Sequence, residues 1–428
     1  MAYRFILSIL LALTATHSFA ADRVYTLQDA YEAALGTSEI VKIAEEGVVQ
    51  AESIVDQAWT YVYPRLTGEA GYTRYNEILP PSGGFVFQPL DDFRAGLILT
   101  QPLYTGGRTF AALRSAKKLR AVSRGELKAT KQDTLLNVAE AYYGVLRAQR
   151  LTAVSRASLE RMKRHRGVTQ REAKTRKTKA NISALLRANT LVSQSGIILT
   201  RSRDALRIAR RKLSLLTRLP DNATIAEPAL LKGSVGGLEE LQQTALANRE
   251  EYKNSVMNRD LAMENIKIVK GAHYPQAYAE GALSYVGSDP ETLMEGTTYY
   301  GGIRLQIPIF EGGLMKAEVS EARSRLRQAE LSSEFLRRSI ETEVYESYVN
   351  LQTETSVLKL AAAQQEDARN NFTAVEDLFS QGLAPSLALI DAQQTLLLTE
   401  REYVNARYEQ QIAILRLNRS TGLFGKGF

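Results

Sequence analysis

Three histidines and no cysteine limit the chemistry open to this chain. His17 lies in an apolar N-terminal stretch, and His165 and His273 stand far apart in sequence. Neither belongs to a His-Glu-x-x-His pattern, the spacing that sets two imidazoles on one helix face around a metal. Without cysteine there is no thiolate ligand, no disulfide framework and no site for a lipid-modified N-terminal cysteine. No P-loop and no Gly-x-Ser-x-Gly elbow occurs. Gly106-Gly107 and Gly312-Gly313 superficially suggest a phosphate cradle, but neither pair is followed by the Lys that such a loop needs. They read better as tight junctions where only Gly tolerates the backbone. The chain is therefore expected to be no enzyme and to hold no cofactor and no metal.

Charged residues are the other candidates. Lys163, Arg164, His165, Arg166, Arg171, Lys174, Arg176, Lys177 and Lys179 form the densest basic run. It holds no aromatic residue to stack a base, so nucleic acid is not expected as a partner. A solvated helix face and a docking surface for an acidic partner both fit it. The net charge of +7 allows contact with anionic lipid or acidic ligands and leaves the fold undetermined.

The elements that carry these residues come in two copies. Tyr63-Pro64-Arg65-Leu66 returns 211 residues later as Tyr274-Pro275-Gln276-Ala277. Gln101-Pro102-Leu103-Tyr104-Thr105-Gly106-Gly107 returns 206 residues later as Ile307-Pro308-Ile309-Phe310-Glu311-Gly312-Gly313. Only the stretch between the two signatures changes length, as a loop would. One structural unit built twice is the first thing such a pattern means. Arg4, the apolar run Phe5–Ala15 and Ser18-Phe19-Ala20 read as an export signal. The expected organisation is a signal peptide over residues 1–20, a first repeat over 21–220, a linker over 221–236 and a second repeat over 237–428.

Each repeat holds two kinds of segment. No Pro occurs between Pro102 and Pro220, between Pro308 and Pro385, or after Pro385. These stretches are rich in helix formers, with apolar residues at steps of three and four, as at Leu135, Val138, Ala141, Tyr142, Val145 and Leu146. One helix from Gly107 to Leu219 would be about 170 Å long, so each stretch is expected to fold back once. The turns are expected in Arg164–Asn181 and in Phe379–Pro385, where Gly382 and Pro385 break the pattern. A helix of about 25 residues precedes each Tyr-Pro signature.

Between the signatures the period is two. Leu66, Gly68, Ala70 and Tyr72 alternate with Thr67, Glu69, Gly71 and Thr73. Ala277, Ala279, Gly281 and Leu283 alternate with Tyr278, Glu280, Ala282 and Ser284. The returning segments show Phe93, Ala95, Leu97 and Leu99, then Tyr299, Gly301, Ile303 and Leu305. Such alternation over about ten residues suits a tilted outer-membrane strand. Four amphipathic strands cannot close a barrel, and an open edge in lipid leaves backbone groups unpaired. Sharing one barrel among chains solves this, and three chains supply enough strands for an open lumen. The fold class expected is α+β, mainly α: long helical hairpins plus four strands of a shared, trimeric, twelve-stranded outer-membrane barrel. Glu69 and Glu280 occupy equivalent repeat positions on the polar strand face, which would be the lumen; ordinary polar lining is the plainer reading.

The doubled signatures, the long hairpins and the stretch Gly382-Leu383-Ala384-Pro385-Ser386-Leu387-Ala388-Leu389-Ile390-Asp391-Ala392 resemble the TolC family of outer-membrane efflux proteins. The resemblance spans residues 22–423. It implies a homotrimer in the outer membrane with a helical tunnel in the periplasm. It implies passive export, in a tripartite efflux or type I secretion system, with a periplasmic adaptor and an inner-membrane pump of RND or ABC type. Adaptor contact would fall at the hairpin tips, at Lys177, Lys179, Gly382, Leu383 and Pro385. The chain departs from the family pattern at the first tip, which lacks a Gly and an acid, and at Ala388, where the family has a second acid. Aligning Ala184-Leu185-Leu186-Arg187-Ala188 with Ala388-Leu389-Ile390-Asp391-Ala392 sets Arg187 and Asp391 at one height. They could form a gate, Asp391 at the constriction and Arg187 as a latch from a neighbouring hairpin; two solvated charges is the plainer reading. The alternative to a channel is a periplasmic coiled-coil adaptor or scaffold without a barrel, which would not carry strands with apolar outer faces.

Overall fold

The computed structural model describes residues 24–77, 88–231, 236–292 and 295–425. The signal-peptide segment lies outside these residues, as do parts of both strand-joining loops and of the linker. The element order runs β1 (Val24–Tyr25), α1 (Leu27–Thr37), α2 (Glu39–Thr60), β2 (Arg65–Arg74), β3 (Asp91–Thr105), α3 (Arg108–Thr175), α4 (Lys179–Thr217) and β4 (Thr224–Ile225). It continues with α5 (Leu238–Asn248), α6 (Glu250–Ala272), β5 (Gln276–Asp289), β6 (Gly296–Gln306), α7 (Leu314–Ser380) and α8 (Ser386–Ser420). The order of two short helices, two strands and a helical hairpin thus occurs twice, as the sequence repeat requires. The short helices α1 and α5 escaped the sequence reading, because eleven residues hold barely three turns of period.

The described residues form two compact units, made of alternating chain segments. One comprises the stretch ending at Ser38, Thr134–Ser234 and Asn350–Arg416. Its helices form a row in the order α4, α3, α8, α7. Ser155 and Ser202 share a hydrogen bond of 2.9 Å across α3 and α4. Arg161 donates to Glu400 at 2.9 Å across α3 and α8. Ala368 and Phe372 of α7 pack with Leu389, Ala392 and Leu396 of α8. The apolar stripe read from the sequence is buried at Leu135, Val138, Tyr142, Val145 and Leu146. The Tyr142 hydroxyl donates to the carbonyls of Tyr25 and Ala226, pinning the short parallel pair of β1 and β4. Burial pushes its phenol up to about 12.

The other unit comprises Glu39–Asp133, Val235–Val349 and the segment from Leu417. It holds an antiparallel sheet in the order β2-β3-β5-β6, so β2 and β6 are its edges. Pairing puts Leu66 beside Leu99, Leu97 beside Leu283, Leu283 beside Tyr299 and Ala277 beside Leu305. Residues directly opposite in a ladder share a face, so these apolar residues of the four strands lie on one side. Leu97, Leu99, Ile303 and Leu305 are exposed there. β3 runs past Pro102 to Thr105, longer than the sequence suggested, because a register shift between Pro102 and Tyr104 lets the strand bend.

At the junctions after the strands, Gly106, Gly107, Gly312 and Gly313 all have φ between 61° and 88°. L side chains rarely adopt that region, so the glycine pairs are turns and not cradles.

Candidate channel-lining and gating residues

The polar strand face carries the two repeat-equivalent carboxylates. Glu69 lies in a ladder row with Gly96, Ser284 and Thr298, while Glu280 lies in a row with Arg65, Thr100 and Gly302. The register parity puts both on one face, as the sequence implied. Measured on β3 the rows differ by four residues, about 13 Å, the kind of stagger that tilted barrel strands need. Their surroundings differ. Glu280 is 17% exposed and forms an ion pair with Arg304 at 2.8 Å. Glu69 is exposed and has no ion-pair partner among the described residues. The second repeat offset maps Arg304 onto Ile98, so the asymmetry was present in the sequence.

Below the strands, His273 caps the C-terminus of α6 and is held between two carboxylates. Its Nδ1 lies 2.8 Å from Glu311 and its Nε2 2.9 Å from Glu318. The hydrogen bond to Glu311 raises the imidazole pKa; desolvation opposes this and Glu318 adds to it. The imidazolium can donate through both nitrogens. This arrangement bridges carboxylates and does not chelate. Among the described residues no group of three or more His, Cys, Asp or Glu is placed to hold a metal.

The hairpin tips close as the sequence indicated. The first is Arg176–Thr178: the Thr178 hydroxyl accepts from the Asn181 amide at 3.2 Å, and the Asn181 side chain donates to the Arg176 carbonyl at 2.8 Å. Thr178 therefore caps α4. Lys177 and Lys179 are exposed beside it. The second tip is Gln381–Pro385. Gly382, at φ 76°, donates its amide to Phe379 at 3.0 Å, and Leu383 donates to Leu378 at 2.9 Å. That is a Schellman closure, which needs a left-handed residue at this point. Leu383 is 71% exposed and Pro385 is exposed.

Asp391 sits on α8, exposed, between the buried Ile390 and Ala392, and Arg187 is exposed on α4. Within one chain the two form no ion pair among the described residues. The structure instead reveals a polar seam between α3 and α8 that sequence reasoning missed. His165 Nε2 meets the Ser386 hydroxyl at 3.1 Å, the Gln393 amide donates to Ser158 at 3.3 Å, and Arg161 pairs with Glu400. His165, from the basic run, is buried, with Phe379 at a ring distance of 5.4 Å. Burial lowers its pKa, so the neutral ring is favoured. The basic run as a whole is thus not one solvated face. Ser386, Gln393 and Glu400 recur at steps of seven, a signal the sequence did carry.

A sequence model of the family described as outer membrane efflux protein matches residues 30–217 and 241–423. Outer membrane protein TolC of Vibrio cholerae serotype O1 is 24% identical over 78% of this chain and 77% of its own length. The alkaline protease secretion protein AprF of Pseudomonas aeruginosa is 25% identical over 78% of this chain and 70% of its own length. Among solved structures, the CmeC outer membrane channel of Campylobacter jejuni superposes with a TM-score of 0.83 at 16% identity, covering 94% of this chain and 87% of that one.

Proposed function

Since the chain belongs to the outer membrane efflux protein family, it is an outer-membrane export channel, and we propose that it works as a homotrimer sharing one closed barrel. The carrying observation is the open four-stranded sheet with one apolar face and two free edges, β2 and β6. A free edge in hydrocarbon costs several kcal/mol per unpaired group. Pairing β6 of one copy with β2 of the next around a threefold axis removes every edge and gives twelve strands. The apolar face then meets lipid and the face with Glu69 and Glu280 meets the lumen. A scaffold without a barrel would have no use for such a sheet.

The matched family is described as outer membrane efflux protein, one relative as a secretion protein and one structural neighbour as an outer membrane channel. The reading for this chain is passive conduction from periplasm to outside, coupled to a periplasmic adaptor and to a pump of RND or ABC type. The two repeats, 21–220 and 237–428, follow a cleaved signal over 1–20 and join through a linker over 221–236. Lys177, Lys179, Gly382, Leu383 and Pro385 at the hairpin tips are the adaptor contacts. Asp391 forms the constriction and Arg187 of a neighbouring hairpin latches it. Support for a moving hairpin comes from the α3–α8 seam, whose polar contacts hydrate more readily than apolar ones when parted. The test is particle mass in mild detergent together with conductance in planar bilayers. A monomer that conducts would sink the reading.

A further inference from the structure

The row of helices has two faces, and one of them is covered. The pair β1 and β4 lies across α3 at Tyr142, and Glu227, just after β4, binds Arg150 of α3 and Arg407 of α8. The opposite face of α3 is open. Gly144 stands about 200° round the helix from Tyr142, and a Cβ there would meet nothing within 4 Å. A groove of about 1060 Å³ runs along this open face, walled by α3, α4 and α8. Its floor is apolar, with Ala141, Gly144, Ala148, Ala205 and Ile208 in the lining. Its walls hold the cations Arg147, Arg201, Lys212 and Arg401 against the single acid Glu140. Glu140 is taken up by Arg416 at 2.7 Å, and Arg147 pairs with Glu409. Glu402 and Glu409 in turn act on Glu354 of α7. Arg201, Lys212 and Arg401 have no ion-pair partner among the described residues.

We infer that this groove faces the tunnel and takes anionic amphiphiles as they pass, which makes that class of molecule the cargo. The inference rests on the channel reading above and names the substrate for it. The cover on the opposite face fixes the side, because an extra layer laid inside a conduit would fill it. The two parts of the groove then do different work. An apolar ring system leaves water against Ala148, Ala205 and Ile208. A sulfonate, carboxylate or phosphate meets Arg201, Lys212 and Arg401, and a guanidinium can donate to two of its oxygens at once. A cationic amphiphile is repelled by the same groups. Arg201 and Lys212 stand eleven residues apart on α4, about 16 Å, so the cations line a path and do not form one trap. The volume is near the upper end of the roughly 300–1,000 Å³ that drug-sized ligands occupy. The groove is open along its length, which keeps binding loose. Conduction needs binding firm enough to enter and weak enough to leave.

Two probes isolate the charge. Anilinonaphthalene sulfonate and phenylnaphthylamine share one ring system and differ by the sulfonate. With the full-length protein in planar bilayers, the sulfonate should block the current at a roughly tenfold lower concentration than the uncharged probe. Arg201→Glu combined with Lys212→Glu should raise its half-blocking concentration by roughly tenfold and leave block by phenylnaphthylamine unchanged. Gly144→Phe fills the floor without a clash and should weaken block by both probes with no fall in melting temperature. The absence of cysteine allows a check of the side. Ala205→Cys, modified with a water-soluble thiol reagent that carries a sulfonate, should lower conductance. Equal block by the two probes, or sulfonate block that survives the charge reversals, overturns the inference and leaves the channel standing. Modification of Ala205→Cys without a change in conductance puts the groove on the outer face, where an acidic partner helix would fit it, and overturns the inference as well. A protein that conducts nothing overturns both readings.

Discussion

At the scale of single residues, charge pairing decides which groups matter. Glu251 shows the balance. Burial disfavours its charge, yet hydrogen bonds from Arg249 at 3.2 Å and Arg419 at 2.6 Å outweigh that and hold its carboxyl down at about 2. A carboxylate depressed from 4.5 adds stability that is present above its unfolded pKa and lost as pH falls through about 2. The contribution is of order 3 kcal/mol at neutral pH. Glu251→Gln should therefore lower the melting temperature at pH 7, and the gap from the unmodified protein should close as pH falls through about 2. A constant gap across that range would rule the linkage out. The proposed gate residues make a different case, because exposed pairs contribute only about 0–1 kcal/mol each. Three equivalent contacts broken in one concerted opening still bias a two-state gate. Asp391→Ala and Arg187→Ala should each raise closed-state conductance in planar bilayers and weaken block by divalent cations. Unchanged conductance and block in both variants would remove these residues from the gate.

At the scale of elements, the ladder register turns sequence alternation into a testable surface. Leu97→Arg or Leu305→Arg puts a guanidinium on the apolar face and should reduce assembly by about 2–4 kcal/mol near the bilayer midplane. Thr100→Arg, on the opposite face, should be far milder. Equal harm on both faces, read as assembled fraction in outer membranes, would mean the register is wrong. The strand-to-helix junctions allow a comparison between the repeats. A Cβ at Gly106 would meet the Gly271 carbonyl oxygen at 2.2 Å and Tyr274 Cβ at 2.8 Å, whereas at Gly312 nothing lies within 4 Å. Both alanine variants carry the left-handed penalty of about 1–2 kcal/mol. Gly106→Ala adds the cost of overpacking, typically about 1–3 kcal/mol. Thermal unfolding should rank Gly106→Ala clearly below Gly312→Ala, and the reverse order would count against the junction geometry.

At the scale of the whole molecule, the same problem arises in both units: a row of elements that ends in two uncovered edges. For the sheet the edges are unpaired backbone, and for the helices they are apolar stripes. Copies arranged around an axis, as proposed, would pair the sheet edges. An unheated sample in mild detergent should run at the mass of three chains and collapse to one on boiling; a single band at monomer mass before heating would exclude the trimer. The repeat, the helical hairpins, their turns and the two strand faces were all legible in the sequence. Each follows from a local period or from a Pro or Gly at one place, and backbone geometry converts such periods directly into faces. The burial of His165 against Ser386, 221 residues away, and the order α4-α3-α8-α7 became visible only in the tertiary structure. Those depend on which distant faces meet, and a periodic stripe states that a face is buried without stating what buries it.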